Sequence, residues 1–423
     1  MWPDSPRDLE QLMQPSADSR TVDRLRIPLA GFIAILLPLH VHAAVYSILD
    51  LGILPNGLGS RPYGLNAYGQ VVGGHEIEDN RPLPVSNAFR TDPNSPITAA
   101  GELGTLGGTY TVAFGINASG QTVGESYLNG NKIFHAFRID SSEPLSPAID
   151  LGTFGGSSSY AFHINDAGQA VGTSLLPGDA SYHAFRTSPN GLITAASDLG
   201  TLPGGGDSFG TGVNSRGQAV GFGGVTALLY GRQHAFRTEP NGPITANSDL
   251  GTLGDGDVSR AAGINESGQV VGLSWLDNGV NYSNFHAFRY DGTPGNGGIM
   301  HDLGTLGGTF SEAHDINASG QTVGNGALPA NLNVHASLTD MTGPMRDLND
   351  LIPANTGWEL YDATGINDNG QITGWGFIHG LEHGFLLTPT PEPASLVLVG
   401  VALTILMGRH RHSGQPARYP RSR

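Results

Sequence analysis

Cysteine is absent from these 423 residues, which excludes a disulfide framework, a thiolate zinc cluster and thiol chemistry. Charge is scarce at 14%, and basic charge scarcest: from Ala44 to Thr390 the chain has 31 acidic and 12 basic side chains. Binding a phosphate backbone needs clustered Lys and Arg. The arginines here recur singly, so nucleic acid is excluded as a partner. No segment between Val45 and Thr388 keeps a helical period. Nor is there a nucleophile elbow, a phosphate-binding loop or a His-Glu-x-x-His helix. Glycine (63) and proline (27) are plentiful, at fixed places in a period rather than in low-complexity tracts.

That period is the dominant feature. Asn-x-x-Gly-Gln-x-(Val/Thr)-Gly starts at Asn66, Asn117, Asn165, Asn214, Asn265, Asn317 and Asn367, at spacings of 51, 48, 49, 51, 52 and 50. A repeat of this length marks an array of supersecondary units. Each copy holds four short apolar pieces bounded by Gly, Asn, Pro and Asp, which reads as hairpins. In the fifth copy these are Ser259 to Ile264, Gln269 to Ser274, Phe285 to Tyr290 and Gly298 to Leu303. Asn suits the first position of a type I turn and Gly the positive φ that completes the hairpin. Pro189-Asn190-Gly191 and Pro240-Asn241-Gly242 mark further turns.

The phase of the repeat predicts the fold. The chain enters with a lone fourth-type strand, Tyr46 to Leu51, and the seventh unit stops after its third, His383 to Leu387. The first supplies what the last lacks. The expected class is all-β: seven four-stranded repeats forming a seven-bladed β-propeller closed by the N-terminal strand. A linear solenoid would instead need polar capping units, and none is visible.

Two further motifs recur. Asp-Leu-Gly-Thr-Leu-Gly-Gly, or a worn form of it, begins at Asp50, Glu102, Asp150, Asp198, Asp249, Asp302 and Asp347. His-Ala-Phe occurs at His135, His183, His234 and His286, with variants at Asn87, His335 and His383. This set, across nearly all of Val45 to Thr388, resembles the bacterial HAF-repeat family of extracellular proteins. The resemblance implies export and repetition.

The ends carry addresses. Arg24 and Arg26 precede an apolar run from Ile27 to Val41, with a small-residue cleavage site at Val41-His42-Ala43. This reads as an export signal processed by signal peptidase. A buried helix or membrane anchor is disfavoured by Pro28, Pro38 and His40. At the other end Pro391-Glu392-Pro393-Ala394-Ser395 opens an apolar stretch of 14 residues counted from Ala394, followed by Arg409 and Arg411. Such a segment spans about 21 Å of helix against a hydrocarbon core of about 30 Å, a marginal transmembrane helix. Its basic flank would stay cytoplasmic. The combination resembles the PEP-CTERM sorting signal of Gram-negative bacteria. That resemblance implies recognition and cleavage by an exosortase-type protease, transient residence in the inner membrane, and association with exopolysaccharide; the alternative is a plain tail anchor. The expected domains are 1–43, 44–388 and 389–423.

One His per copy spreads imidazoles evenly rather than converging three or four, so packing or a hydrogen bond to a neighbouring strand is expected, not a metal site. The recurring Asp reads as a turn or strand-end acceptor. Deviations between copies are more informative. Most copies have Gly before the Ile-Asn pair (Gly64, Gly115, Gly212, Gly263, Gly365), but the third has His163 and the sixth Asp315, preceded by Glu312 and His314. If that strand is innermost, His163, Glu312, His314 and Asp315 face a central channel and are the candidate binding residues. Asp255, Asp257, Glu76, Glu78 and Asp79 could bind calcium weakly or be solvated loop acids. No catalytic residue and no cofactor is assigned. The expected function is an exported, non-catalytic cell-surface or matrix platform whose variable second-to-third-strand loops, Glu125–Phe134 and Ser274–Phe285, meet a glycan such as extracellular polysaccharide, or a protein partner. The alternative is a secreted polysaccharide-active enzyme using channel-facing acids.

Overall fold

The computed structural model describes residues 45–390 except 56, 78–84, 142–147, 227–231 and 278–283. The export segment, the sorting motif, the apolar run behind it and the basic Arg409 and Arg411 lie outside the described residues, as do Glu78 and Asp79. Among the described residues no helix is long and apolar enough to cross a membrane.

The fold is all-β, with five one-turn 3₁₀ segments besides the strands. Seven antiparallel units follow one another. Their first strands are Gly57–Leu65, Gly107–Ile116, Ser159–Ile164, Ser208–Val213, Ser259–Ile264, Ser311–Ile316 and Trp358–Ile366. Each pairs with a second strand across the Asn-x-x-Gly turn, and the second pairs with a third that carries the His-Ala-Phe motif or its variant. The lone N-terminal strand Tyr46–Gly52 lies antiparallel to Leu381–Pro389 and gives the seventh unit its fourth strand.

The fourth strand is less regular than the sequence predicts. It is long only in unit five, Asn296–Asp302, and in unit seven. In units two and six it is two residues, Ile149–Asp150 and Arg346–Asp347. In units one, three and four it shrinks to a single bridge after a 3₁₀ turn at Ala99–Gly101, Ala195–Ser197 or Ala246–Ser248. Unit five has the hairpin Gly292 to Gly298 instead, which lets the strand run on.

The Asn motif is both a turn and a joint. All seven of its glycines sit at φ between 72° and 86°, where L-residues are strained. Each Asn Oδ1 accepts from the backbone N–H of the motif's Gln. Each Nδ2 donates to that Gln's Oε1. Nδ2 also donates to the main-chain oxygen of the next unit's Asn, at 2.9–3.3 Å. The series runs 66, 117, 165, 214, 265, 317, 367, and Asn367 donates to Asn66. The cycle of amides is closed.

His-Ala-Phe is explained residue by residue. The imidazole Nδ1 meets the carboxylate of the Asp-Leu-Gly motif, at 2.9 Å for His135–Asp150, 3.0 Å for His183–Asp198 and 2.9 Å for His234–Asp249. His383 meets Asp50 from the N-terminal strand at 2.8 Å, so the closing strand is latched like the others. The same Asp accepts from the glycine N–H two residues on. Both match the expectation of structural His and turn-capping Asp.

Phe is fully buried against the Gly of the adjacent second strand. A Cβ at Gly73, Gly124, Gly172, Gly221 or Gly374 would lie 2.7–2.9 Å from the Phe ring. The Ala between them faces the next unit, and the core is divided accordingly. Ala184 packs with Val171, Leu199, Val213 and the following unit's Phe236; Ala88 packs with Val72, Ala113 and Phe137. Apolar burial thus lies between units, at roughly 1.5–3 kcal/mol per buried Phe. Unit six has Ser337 where the others have Phe, and Met345 joins the cluster at its junction with unit five.

A buried serine locks five junctions. Ser60, Ser159, Ser208, Ser259 and Ser311 each accept from the N–H at the Ala position of the preceding unit's third strand, at 2.8–2.9 Å. Each donates to the carbonyl of that unit's Asp-Leu-Gly glycine at 2.6–2.7 Å. For Ser60 the preceding unit is the seventh. Between units six and seven Asn349 substitutes, bonding both N–H and carbonyl of Leu360.

If the amide cycle holds the units together, Asn214→Ala removes four hydrogen bonds from a buried site and costs about 2–4 kcal/mol. The neighbouring exposed Ser215→Ala costs under about 1 kcal/mol. Urea denaturation of the two variants checks this; equal midpoints would show the cycle to be dispensable.

Candidate functional site

All seven first strands line one cavity of about 130 Å³ through Tyr63, Phe114, Phe162, Thr211, Ala262, His314 and Thr364, and at the next position through residues including His163 and Asp315. The sequence reading made its candidate residues conditional on this strand being innermost, and residues of this strand line the cavity. What it did not disclose is a β-bulge at the same point in every copy, three residues before the Asn. A bulge re-aims side chains, and here it turns two consecutive positions inward.

The cavity is narrow at the glycine positions. A Cβ at Gly64 would lie 2.6 Å from the Phe114 carbonyl oxygen, and one at Gly115 2.9 Å from the His163 Cα. Glycine is required because adjacent first strands close in there, which makes the side chains of His163 and Asp315 the exceptions.

His163 and Asp315 come from units three and six. His163 lines the cavity with Nδ1 unpartnered, and burial lowers its pKa. The Asp315 carboxylate is engaged by two backbone N–H groups, Ile316 at 2.8 Å and Ile366 of unit seven at 2.9 Å. Burial pushes its pKa up to about 6 against those bonds. Asp315 therefore joins units six and seven as well as facing the cavity.

His314 belongs to a different cluster. Its Nε2 is 3.1 Å from Asp362 and 3.3 Å from Asn325 Nδ2, which itself donates to Asp362 at 3.0 Å. Burial opposes the imidazolium, but Asp362, with Glu312 and Asp315 behind it, outweighs burial and pushes the pKa up to about 9. Burial alone would raise Asp362; His314, Asn325 and Trp375 instead hold it below the usual carboxylate range. Glu312 is not among the cavity-lining residues. Burial raises its pKa, with His314 and Arg260 opposing.

Beyond the cavity, at the end away from the Asn turns, the residue five before each Asn and the residue eight after it meet at the junctions. Phe222 of unit four lies under the Arg260 guanidinium of unit five, 5.0 Å from the ring centroid. Trp375 of unit seven lies under Arg61 of unit one at 4.7 Å, and Arg61 is held by both Glu382 oxygens at 2.6 and 2.8 Å. Rings continue between these points: Tyr160–Tyr182 at 6.5 Å, Tyr182–Phe209 at 5.5 Å, Phe209–Phe222 at 4.9 Å, Trp275–Phe285 at 5.4 Å and Phe285–Phe310 at 5.3 Å. Most of these aromatics are half-buried, presenting part of a face. Glu125, Trp275 and Phe285 fall within the variable loops Glu125–Phe134 and Ser274–Phe285 singled out from sequence, whereas Asn325 and Asp362 were missed there, as was the belt as a whole. Their signal was available: positions five before and eight after each Asn vary in chemistry while their neighbours repeat.

At the opposite end the acids are engaged. Asp166, Glu266 and Asp368 accept from the N–H of Ala118, Ser215 and Ala318 in the preceding units. On the belt side Asp257 pairs with Arg232. Among the described residues no group of three or more His, Asp or Glu is placed to hold a metal ion.

The His314–Asp362 pair sets a pH dependence. An imidazole raised to about 9 contributes stability in full below the unfolded value near 6.5 and loses it as pH rises through about 9. In NMR the His314 ring is expected to titrate near pH 9, and Asp362→Asn to drop it below 6.5 as burial takes over. A wild-type midpoint near 6.5 would contradict the pair.

No family model and no curated protein matches the chain. Among solved structures it is similar to a glucose dehydrogenase, at 11% identity and TM-score 0.34, over 82% of this chain and 100% of that one. It is also similar to the alpha-L-arabinofuranosidase PaAbf62A from Podospora anserina in complex with cellotriose, at 11% identity and TM-score 0.28, over 82% and 98%. Both scores are too low for the likeness to inform fold or activity.

Proposed function

We propose that the chain is an exported, non-catalytic surface or matrix protein whose seven units are the blades of a β-propeller, and that its aromatic mouth holds extracellular polysaccharide. The closed amide cycle and the N-terminal closing strand support the ring. The observation that carries the binding role is the aromatic belt. Half-buried rings tilted or stacked against their neighbours present flat apolar surfaces with little side-chain entropy left to lose, and a pyranose offers a matching apolar C–H face. The recurring polar residues are engaged in structure, so recognition falls to the columns that vary.

The address rests on the ends. Removal of 1–43 during export, a transient stay in the inner membrane through the 389–423 segment, and cleavage near Pro391 by an exosortase-type protease would deliver the repeats to the outer surface or beyond. The mature protein's mass in cells with and without that protease tests this. A shortened C-terminus only where the protease is present is expected; unchanged ends in both defeat it.

One observation favours the enzymatic alternative. At the mouth, burial raises Glu312 while His314 and its neighbours lower Asp362, and carboxylates pushed apart in this way can divide acid and base roles. Titration calorimetry with cellohexaose, followed by an assay for new reducing ends, separates the readings. On the platform reading Phe222→Ala and Trp375→Ala each weaken binding roughly five- to tenfold, about 1–1.4 kcal/mol, His234→Ala does not, and no reducing ends appear. Release of reducing ends that Glu312→Gln abolishes would replace the platform with an enzyme.

A further inference from the structure

Glu125 is a half-buried carboxylate at the mouth with, among the described residues, neither a direct partner nor a positive charge beside it. It lies on the second strand of unit two, opposite Val112 and the small Ala136. Tyr127, two residues on, shares its face of the strand. Tyr127 stacks on Phe134 with centroids 3.8 Å apart, Tyr110 sits edge-on to both at 5.9 and 5.6 Å, and Phe134 leads to Tyr160 of unit three at 5.9 Å. The Glu125 charge is felt by Tyr110, Tyr160 and Tyr63, each already raised by burial, so the three phenols surround it. Glu382 is matched by Arg61, Asp362 by His314 and Asn325, and Asp207 by the Tyr182 N–H; Glu312, also without a direct bond among the described residues, has the positive charges of His314 and Arg260 beside it. Among the described residues Glu125 has neither a hydrogen bond nor an ion pair.

We propose that the junction of units two and three is a subsite for a positively charged sugar, a glycan residue bearing a primary ammonium held by Glu125 inside the arc of Tyr110, Tyr127, Phe134 and Tyr160. The inference rests on the glycan reading above and specifies it. A neutral sugar laid across this junction would take the carboxylate further from water and give it nothing in return. An anion would be repelled. A hard divalent cation wants several oxygen ligands where one carboxylate is present. An ammonium gains both an ion pair and the negative faces of the rings. Burial unrelieved by any positive charge pushes the Glu125 pKa up to about 7, so a bound ammonium would drive out a proton near neutrality. Tyr63, Tyr110, Tyr127, Tyr160 and the more distant Glu76 are the titratable groups around it, and none supplies a positive charge.

The test compares two hexasaccharides of the same linkage, cellohexaose and the fully deacetylated glucosamine hexamer, by calorimetry on the full chain at pH 7. Wild type is expected to bind the amino hexamer at least tenfold more tightly, and to release protons, seen as a buffer-dependent enthalpy, on binding its permanently charged N-trimethylated form. Glu125→Gln, a near-isosteric change whose fold is checked by circular dichroism, is expected to bring the two ligands to the same affinity and abolish proton release. With an N-trimethylated hexamer, charged at every pH, the wild-type advantage should fade as pH drops from 8 to 5.5 and Glu125 takes up its proton. Equal affinities in wild type, or an advantage that survives Glu125→Gln, overturn the inference while leaving the glycan reading intact. Failure of both hexasaccharides to bind overturns the glycan reading, and the subsite with it.

Discussion

Seven asparagine side chains, each buried to within a few per cent of complete, set the conditions that everything else in this molecule meets. A buried primary amide left unpaired costs on the order of 1–3 kcal/mol per group, so each needs its oxygen and both its N–H groups matched. Two matches are local, the backbone and side chain of the Gln four residues on. The third is the main-chain oxygen of the same Asn one unit further. An amide that requires its counterpart in the neighbouring copy cannot be satisfied at the end of an open array. The return from Asn367 to Asn66 resolves that demand for all seven together.

The closeness this imposes explains the neighbouring residues. First strands drawn together at the amide cycle leave no room for a Cβ at Gly64, Gly115 and Gly263, just before it. The bulge beside them releases the strand from its pairing and turns two positions into the cavity. Further out the strands diverge, and the space between units is filled by Ala from one and Phe from the next. Where a copy departs from the pattern a local replacement appears, as Asn349 does for the missing serine.

Legibility followed from whether a residue acts within its own copy or between copies. The turns, the strand order, the His and Asp roles and the closing strand could be read because each depends on neighbours in sequence or on phase. Asn214 was legible as a turn former, since its bonds to Arg216 and Gln218 are local. Its bond to Asn265 was not, because no local pattern announces a partner 51 residues away. The fourth strands were over-read for a related reason: apolar composition marks the segment after Thr194 and Thr245, but capping by Ser197 and Ser248 makes it a 3₁₀ turn instead. Among the candidate residues His163, His314 and Asp315 line the cavity. Glu312 stands at its mouth, because strand alternation resumes once the bulge is passed.

The division of labour between columns decides where a function can arise. Asn, Gln, Gly, Ser, His, Asp and Phe each satisfy a contact that another copy mirrors, so altering one leaves a buried group unmatched. Five residues before the Asn and eight after it, the side chains meet across junctions already closed by apolar packing and, at five of the seven, by the serine bridge. There the chain holds Gly74 with Val112, Glu125 with Tyr160, Phe222 with Arg260, Asn325 with Asp362 and Trp375 with Arg61. Such pairs can change in size and charge while the ring stays intact, because none of the repeated bonds passes through them. A sevenfold frame thus carries seven different junctions on one rim. An acidic body does not make that rim uniformly acidic: cations at Arg61, Arg260 and His314 neutralise the carboxylates beside them, and the charge left over is concentrated where Glu125 meets the aromatic rings.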